Sequence, residues 1–236
     1  MKKTVIFFCL TALAVFCSGA EERWISLAKW DFSSGSLVST NGKYTLRVRG
    51  FTNLRTLNNR KMLQIGMSSK AEGAQFASLY KELYSPGAFR YEFTIRMREP
   101  DSAKDQLVLF DSKYSFYRPQ NHTGLALVLN RFKSNPEQYR MTVYAGMTSG
   151  NSVTFHCPNG ILLKEDQTYV LAYEYNGIDT FSFFLDGKKV GSKTVKGAGA
   201  VEPPARYQGV LGDRFGSGYC HFQGDILSFQ IFGIKK

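Results

Sequence analysis

Pairs of carboxylates are the side chains of this sequence that first need to be tested for chemistry. Retaining hydrolysis of a glycoside requires two carboxyl groups about 5 Å apart, and acids that alternate along one β-strand supply that spacing. The nearest pair, Glu99 and Asp101, is interrupted by Pro100. We therefore predict a solvated turn here and no glycoside hydrolase centre.

Other catalytic groups are equally sparse. The histidines are His122, His156 and His221, and the last two alternate within predicted strands. The sequence contains no Gly-x-Ser-x-Gly nucleophile motif, no phosphate-binding loop and no metalloprotease motif. The prediction is a protein that is not an enzyme.

A polar and aromatic segment is the better candidate for a function. Residues 110–124, "FDSKYSFYRPQNHTG", place rings, a guanidinium and an amide between two strongly apolar strands. Aromatic rings stack on sugar faces, and arginine or amide groups bind hydroxyl and acidic groups. The predicted carbohydrate-binding residues are Tyr114, Tyr117, Arg118, Asn121 and His122. The alternative is a hairpin whose aromatic residues only cap the core.

A structural calcium ion bound by the same segment is an open alternative. Asp111 and Asn121 resemble the acid and amide ligands of lectin calcium sites. Calcium takes six or more oxygen ligands, and the other acids considered, Asp31, Asp213 and Asp225, are scattered along the chain. No other cofactor is predicted.

Alternation of apolar and polar residues predicts the elements that must position these side chains. In "AFRYEFTIRMRE" every second residue from 89 to 97 is apolar, which predicts a strand with one face in the core and the other facing water or a ligand groove. Residues 169–193 alternate around Asn176-Gly177 and Asp186-Gly187, dipeptides that favour hairpin turns, so they predict a three-stranded meander. Gly224-Asp225 is expected to mark a bulge or bend before the last strand.

About a dozen such segments, without interleaved helical periodicity, predict two packed antiparallel sheets. The first twenty residues, "MKKTVIFFCLTALAVFCSGA", have the lysines, apolar run and small-residue ending of a secretory signal. We expect cleavage after Ala20, as the Ser18-Gly19-Ala20 ending indicates, and one domain over residues 21–236. Phe16 argues against lipidation of Cys17. The protein is then secreted or periplasmic, with bacterial-type export and no stable membrane insertion.

Export leaves Cys157 and Cys220 in an oxidising compartment, where they allow one disulfide or two thiols. Loss of Lys2 and Lys3 with the signal lowers the net charge from +11 to about +9. This charge favours anionic partners such as acidic glycans, but the basic residues are scattered rather than gathered in runs. Nucleic acid is not expected, because the protein is exported and has no nucleic-acid-binding motif.

Three segments together resemble the laminin G-like, concanavalin A-like jelly-roll superfamily: "WDFSSGSL", "QTYVLAYEYNGIDTFSFFLDGKKVGS" and "GVLGDRFGSGYCHFQGDILSFQIFG". Residues 50–150 match it only by strand rhythm, and Leu185 stands where a valine or tyrosine is common before Asp-Gly. The resemblance implies an all-β, two-sheet antiparallel jelly-roll sandwich, with Asp186 as a turn residue and the last strand beside the first. Some relatives are endoglucanases with a Glu-x-Asp-x-x-Glu strand, which this sequence lacks.

Three functions are compatible with these patterns. The prediction is a secreted, non-catalytic, lectin-like domain that binds a polysaccharide or other glycan, neutral or acidic. The alternatives are an adhesion or protein-interaction module on the same fold and a diverged glycoside hydrolase.

Overall fold

The computed structural model describes residues 24–67, 71–76, 81–84, 87–98, 105–113, 123–205, 208–214 and 220–234. These residues form sixteen strands and two short 3-10 helices, Phe32–Ser34 and Lys81–Tyr84. The strands are β1 (Trp24–Asp31), β2 (Leu46–Val48), β3 (Asn53–Leu57), β4 (Arg60–Ile65), β5 (Ala74–Phe76), β6 (Phe89–Met97), β7 (Gln106–Asp111), β8 (Leu125–Phe132), β9 (Asn135–Gly146), β10 (Ser152–His156), β11 (Ile161–Leu162), β12 (Thr168–Tyr175), β13 (Thr180–Leu185), β14 (Lys188–Thr194), β15 (Val210–Leu211) and β16 (Gly224–Ile234).

The strands make two antiparallel sheets of eight strands each. Sheet 1 has the order β14-β13-β12-β6-β16-β4-β3, with β1 also paired to β16. Sheet 2 has the order β10-β9-β8-β7-β15-β5-β2, with β11 also paired to β9. Their facing sides pack into an all-β jelly-roll sandwich, as predicted.

Aromatic rings fill the space between the sheets. Phe229 of β16 stacks on Trp30 of β1 and on Phe93 of β6, with ring centroids 5.5 and 4.9 Å apart. Phe110 of β7 contributes from sheet 2, 5.9 Å from Phe229. Because each of these rings is fully buried, the aromatic stack joins the two sheets.

The first and last strands lie side by side, as the resemblance implied. Trp30 pairs with Phe229, and Trp24 at the start of β1 pairs with Ile234 at the end of β16. Both ends of the described chain therefore meet in sheet 1. This arrangement gives each strand a hydrogen-bonded neighbour and protects its edge.

The meander of residues 169–193 is also confirmed, as β12, β13 and β14. Asp186 and Gly187 both have positive φ, 49° and 77°, and the Asp186 side chain accepts a hydrogen bond from Val170 N. Asp186 is thus a turn residue. The Asn176 connection is longer than a two-residue hairpin: its Oδ1 accepts hydrogen bonds from the backbone N–H groups of residues 178–180, and of its residues only Gly177 has positive φ.

The prediction of a bend at Gly224-Asp225 was wrong. Both residues are paired within β16, opposite Met97 and Arg96 of β6. The bulge lies later, between Ile226 and Ser228.

A Cys157–Cys220 disulfide is not formed in this structure. Cys157 is a buried thiol in the core between the sheets, whereas Cys220 packs with Val108, Ala126 and Val128 in a separate cluster. The two cysteines therefore belong to different packing clusters, which accounts for the missing bridge. Among the described residues, no helix has the length and apolar character needed to cross a membrane.

Candidate functional site

The predicted carbohydrate-binding residues Tyr114, Tyr117, Arg118, Asn121 and His122 lie outside the described residues. The base of their loop is described. Ser112 N donates to Leu125 O at 2.9 Å, and Leu125 N donates to the Ser112 hydroxyl at 3.1 Å. The chain therefore leaves sheet 2 and returns to it at a closed, hydrogen-bonded position.

Gly124 is part of this base for a steric reason. Its φ is 71°, and a Cβ at this position would lie 2.5 Å from Ser112 O. Gly124 N also donates to Glu202 O at 2.8 Å. The base thus joins β7, β8 and the segment around Glu202.

A small open depression lies beside the loop base, with a cavity volume of about 20 Å³, enough for about one water molecule. Its walls come from the helix at 81–84, from β6, from the loop base and from the segment at 201–204. The lining residues are Leu83, Tyr84, Phe89, Tyr91, Ser112, Gly124, Leu125, Val201, Glu202, Pro203 and Pro204. A cavity of this size is too small to enclose a sugar.

The first anchor of the loop carries a buried charge pair. Lys113 is 1 % exposed, and its backbone N donates to Asp111 Oδ1 at 2.8 Å. Burial lowers the pKa of Lys113 to about 8, while the nearby Asp111 carboxylate acts in the opposite direction. Asp111 is itself fully buried, so its carboxylate helps to hold the loop base.

A second candidate surface is the outer face of sheet 1. On β6 the residues Phe89, Tyr91, Phe93, Ile95 and Met97 are buried in the core, as the alternation predicted. The intervening side chains face outward and include Arg90 and Arg96. This is the face that the sequence left as either water-exposed or ligand-binding.

The charge of Arg90 on this face is neutralised by two neighbouring glutamates. Its guanidinium lies 2.8 Å from Glu92 and 3.4 Å from Glu174, and it stacks over the Phe184 ring at 5.0 Å. Two carboxylates face one guanidinium, so the group around Arg90 has no positive charge to offer an anionic ligand.

Arg96 belongs to a different group, which we call the arginine cluster: Arg55, Arg96 and Arg98 around Asp225. Asp225 Oδ2 accepts from Arg55 Nη2 at 2.9 Å and from Arg96 Nη1 at 3.1 Å, and Oδ1 lies 3.9 Å from Arg98 Nε. Asp225 is fully buried, whereas the three arginine side chains remain 17–29 % exposed. Gln64 of β4 is the residue paired with Asp225 on the other side of β16 from Arg96.

The bulge in β16 explains why Asp225 faces this cluster. Asp225 lies an even number of residues before Phe229 and Ile231, both of which are in the core. Regular alternation would therefore direct Asp225 inward. The extra residue at 227 reverses the alternation, so that Asp225 shares the outer face with its partner Arg96.

Sequence reasoning missed this cluster because its members come from β3, from β6 and its C-terminal end, and from β16. Arg55 and Asp225 are 170 positions apart. The available signal was the single acid of the closing strand, Asp225, which we interpreted as part of a bend.

The remaining acids and histidines have separate structural roles. Asp31 accepts from Ser33 N at 3.0 Å and caps the first 3-10 helix, while Asp213 is buried and accepts from the backbone N of Glu72 at 2.7 Å. His156 is exposed and lies 3.0 Å from the Thr142 hydroxyl, and His221 is buried. No group of three or more His, Cys, Asp or Glu within the described ranges could hold a metal ion, and Glu99 and Asp101 lie outside those ranges.

Comparison with known proteins relates this sandwich to solved structures only. The receptor binding domain of botulinum neurotoxin D superposes with a TM-score of 0.62 at 12 % identity, over 89 % of this chain and 50 % of that one. The botulinum neurotoxin serotype G binding domain gives 0.62 at 10 % identity, over 90 % of this chain and 48 % of that one. The chain thus spans about half the length of these structures, and at such identities the likeness establishes a shared fold. No protein-family model and no curated protein sequence matches the chain.

Proposed function

We propose that this chain is a secreted, non-catalytic carbohydrate-binding domain of the laminin G-like, concanavalin A-like type. The observation that most supports this function is the closed, hydrogen-bonded base formed by Ser112, Gly124 and Leu125. In the sequence, residues 114–122 lie between the two sides of this base and contain the aromatic, guanidinium and amide groups that bind sugars. In the solved structures, the same fold serves proteins named as binding domains.

Tyr114, Tyr117 and Arg118 are proposed to supply most of the affinity. Asn121 and His122 add hydrogen bonds to the same sugar, and a calcium ion, if one is required, would bind near this loop. Each exposed ring or guanidinium contributes on the order of 1 kcal/mol, so the expected affinity for one sugar unit is weak.

The test is binding of the purified domain to a panel of neutral and acidic polysaccharides, with product analysis for cleavage. We expect binding without release of oligosaccharides. Replacing Tyr114, Tyr117 and Arg118 together by alanine should weaken binding without changing the melting temperature, whereas Phe132→Ala, on the far end of β8, should leave binding intact. Hydrolysis would favour the enzyme alternative, and absence of any glycan binding would favour the protein-interaction alternative.

A further inference from the structure

The arginine cluster gathers three guanidiniums at one place on the outer face of sheet 1, whereas Arg90 stands alone between two carboxylates. Three guanidiniums surround one buried carboxylate, Asp225, and the only other acid paired with them is Asp166, 2.6 Å from Arg96 Nη2, among the described residues. Asp166 is 63 % exposed. Within the same cluster, therefore, one acid is a fixed part of the structure and the other is accessible to solvent.

The donors of the cluster are not all used. Arg55 Nε and Arg98 Nε are both buried and have no hydrogen-bond partner. Arg98 is held in place by Nη2, which donates to the backbone carbonyls of Ile65 and Gly224, and by Nη1, which donates to the Met67 sulfur. Burial lowers the pKa of Arg98, the Asp225 and Glu72 carboxylates act in the opposite direction, and the neighbouring Arg55 and Arg96 charges lower it further.

Asp166 is positioned as a replaceable ion. It lies in the turn before β12 with a φ of 59°, and only its exposed carboxylate reaches Arg96. An exposed ion pair of this kind contributes little to stability, and an anion from solution can compete for the same guanidinium. Nη2 of Arg96 would then donate to a carboxylate or sulfate, while Nη1 keeps its hydrogen bond to Asp225.

We propose that the arginine cluster binds the anionic group, sulfate or carboxylate, of an acidic polysaccharide, and that Asp166 occupies the position of this group in the unliganded protein. The inference rests on the proposed carbohydrate-binding function and names its substrate class. Asp225 is the buried counter-ion that keeps the three guanidiniums together.

The experiment uses three polymers with one backbone: dextran, dextran sulfate and carboxymethyl-dextran. Dextran sulfate and carboxymethyl-dextran distinguish sulfate from carboxylate as the preferred group, and dextran measures binding without charge. We expect Arg96→Gln to weaken binding of the preferred charged polymer roughly tenfold, the equivalent of one charge-assisted hydrogen bond. Arg90→Gln removes the same charge from the same face of the same strand and should leave binding within about twofold, because Arg90 is already neutralised.

Asp166→Asn gives an independent test that does not depend on the buried pair. Asparagine tolerates the positive φ of this position, and the variant removes the competing carboxylate. Binding should become roughly two- to fivefold tighter. Glu174→Gln, with the same charge change beside Arg90, is the matched control and should have no such effect.

The outcomes separate this inference from the proposed function. If Arg90→Gln weakens binding as much as Arg96→Gln, or if Asp166→Asn and Glu174→Gln act alike, the protein attracts polyanions by net charge and the site is refuted. If glycans of the wider panel bind through the loop at 114–122 but the charged dextrans bind no better than dextran, the proposed function stands and the arginine cluster is not part of it. If no polysaccharide of any kind binds, both are refuted.

Discussion

Replacing Asp225 by asparagine should destabilise the domain by about 2–3 kcal/mol. The change keeps the size of the side chain and removes only its charge, so the guanidiniums of Arg55 and Arg96 lose the carboxylate that lies 2.9 and 3.1 Å away. Removing one partner of a fully buried ion pair costs about 3–5 kcal/mol. The expected loss is smaller because the three arginine side chains keep 17–29 % exposure, and water screens part of their mutual repulsion.

Urea unfolding followed by tyrosine and tryptophan fluorescence measures this loss as a shift of the midpoint at constant slope. A scan of the melting temperature should show a decrease of about 5–10 °C for a chain of this length. Glu92→Gln is the matched control: it removes a carboxylate of the same face, but one that is 28 % exposed, and should cost less than about 0.5 kcal/mol.

A double-mutant cycle with Arg55→Gln then tests the cause. If Asp225 acts by neutralising the arginines, Arg55→Gln should be destabilising in the native background and nearly neutral, or even stabilising, when Asp225 is already asparagine. A coupling free energy of about 1–2 kcal/mol is expected for charges in direct contact. A loss below 0.5 kcal/mol for Asp225→Asn, or additive effects of the two changes, would refute the view that Asp225 holds the cluster together.

Three further predictions concern the scaffold. Burial raises the pKa of Asp213 to about 6, so the folded state favours the protonated side chain. The contribution of this group to stability should be highest below pH 4 and fall by about 3 kcal/mol as the pH rises through 6. Asp213→Asn should flatten that dependence in urea titrations at each pH. Gly187→Ala places a Cβ in open space but at a φ of 77°, so backbone strain alone should cost about 1 kcal/mol in thermal unfolding, and a neutral result would show that the turn relaxes. Phe229→Ala removes the ring stacked between Trp30 and Phe93 and should cost about 3–5 kcal/mol, with retention of native stability contradicting the assigned core.

Local patterns were sufficient to predict most of the fold. Alternation over residues 89–98 identified the core face of β6, and the Asp186-Gly187 dipeptide identified the tight turn between β13 and β14. The β3–β4 hairpin was missed because its turn is Asn58-Asn59, two non-glycine residues with φ of 50° and 61°, and because no residue of β3 is buried in the core. A turn of this type is compatible with asparagine, but the dipeptide is a weaker sequence signal than Asn-Gly.

The arginine cluster and the missing disulfide could not be predicted from sequence because they depend on which strands become neighbours. Cys157 and Cys220 are both compatible with a bridge until their packing clusters are known, and Cys157 lies in the core while Cys220 packs elsewhere. Pairing of β3, β4, β16 and β6 brings Arg55 and Arg96 to the same carboxylate, although no segment of the sequence contains both.

The bulge at residue 227 is a local feature of β16 that also determines which side chains meet across neighbouring strands. Upstream of it, β16 pairs with both β4 and β6, and downstream it pairs with β1 and β6, while Ile226, Phe229 and Ile231 stay on the core face. One extra residue lets Ile226 and Phe229 both point into the core although they are three positions apart, and it turns Asp225 outward. Without it, the carboxylate would be buried among aromatic rings with no cation near it, at a cost of several kcal/mol. The bulge at residue 227 therefore keeps Ile226 and Phe229 in the core and also places Asp225, the counter-ion of the arginine cluster, on the outer face. The stability of the sandwich and the charge of its outer face depend on the same irregularity.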